Sequence, residues 1–185
     1  MARQGFADMP YDAPPASFTA LNTFTAEANL FTPNLWTLIP AFDMRAGKIY
    51  MLRAGGICQS ATAINWTFTP RIGTSATPAS NATLGGSAVV PSGGIIPASS
   101  PWYAEFTMVV RSLGVAAAGA TVTGNGFVVW PTTALLASQT ISMGGTVATT
   151  VDHTINQGLV LSATCGTSSA TNSIQCQWVQ LQPQN

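Results

Sequence analysis

The sequence predicts an all-β protein: a two-sheet antiparallel sandwich of jelly-roll type with an extended N-terminal arm. Three observations predict it. Several segments alternate apolar and polar residues, as in "NWTFTPRIG" and "WYAEFTMVVRS", the mark of strands with one buried and one wetter face. Gly- and Pro-rich breakers separate those segments, and no helical stripe of about ten residues or more survives between them. The 185 residues suffice for a single domain with a real core. About eight strands at this spacing suit a sandwich or barrel, and a two-sheet jelly roll is the natural closure for this size. An immunoglobulin-like sandwich is the alternative, although its Cys…Trp…Cys signal is missing.

Residues 1–20 are read as the arm and 21–185 as the sandwich. Pro10, Pro14 and Pro15 disfavour helix and favour extended backbone. Phe6, Met9, Tyr11 and Phe18 are its apolar anchoring candidates, for docking on a neighbouring subunit; a flexible leader is the other reading. "KIYMLRAGG" (48–56) has a continuous apolar run and is expected to be buried on both faces. In "NWTFTPRIG", Trp66, Phe68, Pro70 and Ile72 share one face. In the strand from Trp102, that residue, Ala104, Phe106, Met108 and Val110 do the same. "ATVTGNGFVVW", "GLVLSATC" and "SIQCQWVQL" follow as strands, with "NLWTLI", "ATTVDHTI" and "TLGGSAVV" as weaker ones. "AGG", "TSATPASN", "PSGGIIPASSP", "GVAAAG" and "SMGG" read as breakers.

Charged residues make up 6 % of the chain, against about 25 % in an ordinary soluble domain. Six basic and six acidic residues cancel, and Lys48 is the single lysine. A surface of Thr, Ser, Asn, Gln, Ala and Gly has little self-repulsion, so life inside an assembly is expected. The scattered basic residues form no stripe for phosphates, and nucleic acid is not an expected partner. No apolar run approaches the roughly 20 residues of a membrane helix. None at the N-terminus suits a signal peptide, so synthesis in a host cytoplasm is expected. An odd number of cysteines, three, fits reduced thiols better than a disulfide framework. The sequons at Asn65 and Asn81 then read as chance matches.

Little in the chain suggests catalysis. The single histidine, His153, follows Asp152 directly, and neighbours on a strand point to opposite faces rather than orienting one another. One His and three separated Cys offer no recognisable metal set. "GNG" and "GG" lack the strand-to-helix setting of a phosphate loop. No catalytic, cofactor-binding or metal-binding residue is therefore nominated, and no cofactor is expected; a hydrolase would need two close carboxylates among the six. Arg53 either pairs with an acid on a neighbour or is solvated at a strand end. Trp66 and Trp102 follow the apolar phase of their strands, whereas Trp36 and Trp130 are the candidates for exposed aromatics, of use in a sugar-binding groove.

"AGKIYMLRAGG", "WTFTPRIGT", "PWYAEFTMVVRSLG", "TGNGFVVW" and "TVDHTINQGLVLSATCGTSSATNSIQCQWVQLQ", in that order, resemble a group of small bacteriophage virion proteins with a jelly-roll fold. In that group a Gly-led strand with an aromatic-x-x-Arg core precedes a Thr/Phe strand ending in Ile-Gly-Thr. A Pro-Trp strand and a closing hairpin come later. The resemblance spans residues 45–182 and lies in composition and strand order, without a catalytic motif. It implies a virion location, self-association as a homotrimer, and contact with the major capsid protein or other virion proteins. Capsid decoration is the expected function; the alternative is a tail or baseplate component that recognises a host-surface glycan.

Cys165 and Cys176 flank the polar run "GTSSATNS". A symmetric hairpin with its turn there would set them opposite each other on one apolar face, with Leu159, Leu161, Ala163, Ile174 and Trp178. They read as small buried hydrophobes, with a cross-strand disulfide left open.

Overall fold

The strands over Asn65–Gly73 and around Trp102 form where the alternation places them. The computed structural model describes residues 17–31, 37–114, 119–133 and 137–184. β1 (Leu21–Asn22), β2 (Ala28–Asn29) and β3 (Leu38–Ile39) are short. β4 (Ile49–Ser60) and β5 (Asn65–Gly73) follow, then β6 (Ala82–Thr83) and β7 (Ala88–Pro91). β8 (Ile96–Leu113), β9 (Ala120–Pro131), β10 (Ser138–Val151), β11 (Gln157–Cys165) and β12 (Ser173–Gln184) complete the set. In β8, Trp102, Ala104, Phe106, Met108 and Val110 are buried while Tyr103, Glu105 and Thr107 between them keep contact with solvent.

One sheet runs β1-β12-β4-β8-β9-β10 and the other β2-β11-β5-β6, with β3 also on β11 and β7 also on β5. Every pairing is antiparallel. The pairs nest from the ends of the chain inward: β1 with β12, β2 with β11, β4 with β8, β5 with β7. A long hairpin of strand pairs is thus rolled up, with β12 joined to β4 and β11 to β5. This is a jelly roll, and the β9–β10 hairpin widens its first sheet. Trp66, Phe68, Phe106, Val128 and Leu159 are among the side chains filling the space between the sheets.

Glycines read as breakers have another use. "SMGG" lies inside β10, and "TLGGSAVV", the weaker strand candidate, supplies Thr83 of β6 and Ala88–Val90 of β7 on either side of Gly85 and Gly86. At the first sheet's edge the Gly144 N–H donates to the Gly86 carbonyl at 2.6 Å, and the Thr149 hydroxyl to that of Thr83 at 2.8 Å. Gly144 and Gly85 both take positive φ (89° and 82°), and a Cβ at Gly85 would collide with the Gly145 backbone. The close approach covers an edge that would otherwise invite pairing. Likewise "PSGGIIPASSP" ends inside β8: the register shifts between Cys58 and Ser60, and Pro97–Ser99 bulge out with Ser99 at φ 62°.

Two expectations fail at the C-terminus. β11 and β12 belong to different sheets, so Cys165 and Cys176 are not hairpin partners; residues 166–172 cross between the sheets. Both thiols are nevertheless buried and free, as is Cys58. Trp178 is not in phase with Cys176 either. Cys176 pairs with Gly56 and Trp178 with Gly55, so Gln177 is an extra residue, a β-bulge. Beyond it Val179 points inward and Trp178 outward.

Candidate binding face

"AGG" is not a breaker but the middle of β4, and its glycines build the most unusual surface of the molecule. Gly56 lies so close to the bulged strand that a Cβ would collide with the Gln175 carbonyl oxygen. At Gly55 a Cβ would come within 2.8 Å of the Trp178 ring atoms. The indole therefore lies against the sheet over Gly55, with its other side toward solvent. β4 consequently alternates instead of being buried on both faces: Tyr50, Leu52 and Ala54 are inside, while Met51 and Arg53 are half-exposed.

Cross-strand register puts Gly55 beside Tyr103 and Arg53 beside Glu105, and Glu105 in turn beside Phe127. Three half-buried aromatic rings result: Trp178 and Tyr103 have centroids 6.0 Å apart and planes 34° apart, and Tyr103 and Phe127 lie 6.1 Å apart. Beside them Arg53 Nε donates to Glu105 Oε2 at 2.9 Å, and the Tyr103 hydroxyl donates to the same oxygen at 2.8 Å. A depression of about 450 Å³ continues across the sheet, lined by Glu105, Thr107, Asn125, Phe127, Ser142 and Gly144 among others. The Tyr103 hydrogen bond, with help from Arg53, holds Glu105 below the ordinary glutamate value. Burial first, and then the bond to Glu105 and its charge, push Tyr103 up to about 12. At neutral pH the cluster holds one positive and one negative charge, and a neutral phenol.

Other polar clusters are closed. Lys48 Nζ meets Asp43 Oδ1 at 2.6 Å and lies 5.2 Å from the Tyr50 ring centroid, and the Tyr50 hydroxyl donates to Asp43 Oδ2 at 2.9 Å. Arg71 grips Glu27 with Nε at 2.6 Å and Nη2 at 2.7 Å. Asp152 accepts from the Thr154 N–H and hydroxyl, which hold its carboxyl below the ordinary aspartate value and shape the turn between β10 and β11. His153 packs edge-on against Phe42 instead. Among the described residues no three His, Cys, Asp or Glu side chains group as a metal site would. Burial raises all three thiols, Cys176 to about 12, which disfavours thiolate chemistry.

The sequence-derived candidates are not the residues of this face. Phe6, Met9, Tyr11 and Trp36 lie outside the described residues. Phe18 docks on its own chain: its N–H donates to the Cys176 carbonyl at 2.9 Å, its carbonyl accepts from Gln175, and its ring lies 5.9 Å from Phe31. Trp130 is 0 % exposed, with ring centroids 5.6 Å from Trp66 and 5.4 Å from Phe68. It is a core residue, because it keeps the inward phase of Val122 and Val128 although Pro131 follows it. Arg53 is neither solvated at a strand end nor directed to a neighbour; it sits mid-strand, paired within the chain. Tyr103 and Phe127 carry a signal that alternation offers, an aromatic residue on the wetter phase. Trp178 carries none, because the bulge reverses its phase.

Compared with models of known protein families and with curated protein sequences, the chain matches none.

Proposed function

We propose that the chain is a non-enzymatic structural subunit of a bacteriophage particle, a capsid decoration protein that seats on the head as a homotrimer and contacts the major capsid protein. One observation carries the reading: a surface poor in charge that nevertheless exposes several large apolar side chains. Three ion pairs, Lys48–Asp43, Arg53–Glu105 and Arg71–Glu27, close charges within the chain. Phe42 (68 % exposed), Ile155 (46 %) and Leu113 (43 %), the last residue of β8, lie near one another, while Ile95 (65 %) and Val89 (51 %) are exposed elsewhere. Phe42 N–H donates to the His153 carbonyl, and Leu113 pairs with Ala120, which pairs with Val151 just before that turn. Such a subunit binds by shape and buried area, and symmetric association multiplies modest contacts.

Light scattering of the purified chain and cryo-electron microscopy of virions test this. A trimer in solution and density for the chain on the head are expected, and Phe42→Asp should reduce occupancy without changing the fold. A monomer absent from particles sinks the proposal. A second reading, a tail or baseplate component recognising a host-surface glycan, is favoured by the Trp178–Tyr103–Phe127 strip. Density at the tail tip instead of the head would select it.

A further inference from the structure

We propose that the outer face of the six-stranded sheet is a binding site for a neutral carbohydrate chain, stacked on Trp178 and Tyr103 and hydrogen-bonded through Arg53, Glu105 and Asn125. The inference rests on the second reading above and assigns its site and ligand class.

The geometry matches that ligand in three respects. A pyranose ring has a C–H face that stacks on an aromatic face, and Gly55 lets the indole lie against the sheet and present one. A second ring follows at 6.0 Å, tilted by only 34°, so the platform extends beyond a single side chain. A sugar's rim carries hydroxyls that both donate and accept. Arg53 and Tyr103 converge on Oε2 of Glu105. Among the described residues this leaves Oε1 to accept, and the terminal guanidinium nitrogens to donate, in fixed positions beside the rings. Asn125, exposed on β9 where the depression opens, adds an amide with both capacities.

Charge complementarity selects the neutral class. The site carries one cation and one anion bonded to each other. An anionic ligand would meet the Glu105 carboxylate and a cationic one the Arg53 guanidinium, each without a free counter-charge. Of the strands bearing these side chains, β4, β8 and β9 are paired along both sides, and β12, which carries Trp178, meets β1 only at Ser173 and Ile174; a peptide strand could add only at that edge, in the plane of the sheet, and would not lie over the rings.

The test is a glycan array probed with the full chain. It is followed by fluorescence titration with hexaoses of glucose, galactose and N-acetylglucosamine. Retention of at least one neutral glycan is expected, weakened about tenfold or more in Trp178→Ala. Gly55→Val should weaken it comparably by lifting the indole, and Glu105→Gln, which preserves shape, less. Binding only to anionic glycans, binding to none, or affinity unchanged in Trp178→Ala overturns the proposal. Should the Trp178 and Gly55 variants fail to fold, hydrogen exchange on the unaltered chain decides: a neutral hexaose must protect β4, β8 and β12 rather than β5 and β11. Location separates this proposal from the reading it rests on. A chain at the tail tip that binds no neutral glycan removes the site and leaves that reading. A chain on the head that binds one through Trp178 removes that reading and leaves the site.

Discussion

The two outer faces of the sandwich start from the same strand pattern and end differently. On the second sheet, Glu27 reaches past β11 to Arg71, the Ser162 hydroxyl lies within hydrogen-bond distance of both the Glu27 carboxylate and the Thr69 carbonyl with one proton to donate, and Arg71 Nη1 donates to the Asn81 carbonyl. Apart from Thr164, β11 is buried along its whole length. On the first sheet the ion pair is more open: the Arg53 and Glu105 side chains are 37 % and 24 % exposed, against 14 % and 20 % for Arg71 and Glu27. Its aromatic residues remain at the surface. Polar residues on the wetter phase of a strand thus serve either to seal a face or to furnish it, according to what distant segments bring across.

The largest expected effect is on the backbone contact beneath the open face. Gly56→Val drives a side chain into the Gln175 carbonyl and should lower stability by about 3 kcal/mol in chemical denaturation. Such a loss places the bulge among the determinants of the fold, whereas a neutral result would show that β12 can slip. Next comes the sealed face: Arg71→Met leaves a partly buried Glu27 without its partner and should cost about 2–3 kcal/mol in the same assay.

Acid should act on the sealed face as well. Burial would raise the Glu27 carboxyl, but the hydrogen bonds from Arg71 and Ser162 and the Arg71 charge outweigh it and hold the value below normal. A depressed carboxyl contributes stability that is present above its unfolded value of about 4.3 and is lost as pH falls through the folded one. Thermal melts should therefore weaken below about pH 4, and Glu27→Gln should flatten that decline. An equally steep decline in the variant would assign the acid sensitivity elsewhere. The smallest effect belongs to the open face: Arg53→Met should change stability by less than about 1 kcal/mol. A loss matching that of Arg71→Met would erase the distinction between the faces.

Much of the architecture could be read from alternation. Asn65–Gly73 coincides with β5, and the predicted starts of β9 and β12 at Ala120 and Ser173 hold. β10 was mostly missed, because "SQTISMGG" has Thr, Ser and Gly where an apolar phase would show; its glycines are there for the approach to Gly86. The candidate face was harder. Tyr103 and Phe127 occupy a phase that could be counted. Trp178 was counted onto the wrong side because one extra residue, Gln177, inverts a period of two. Trp130 shares the inward phase of Val122 and Val128, which the proline after it does not break.

Composition was enough for the near absence of charge, and periodicity and breakers for the all-β class and the inward sets of β5 and β8, since these are properties of the residues themselves or of their neighbours along the chain. Which strands pair, where Cys165 and Cys176 part into different sheets, and which face stays open could not be obtained that way. Those outcomes depend on contacts such as Gly55 with Trp178 and Arg71 with Glu27. Their partners meet only after the chain has rolled up.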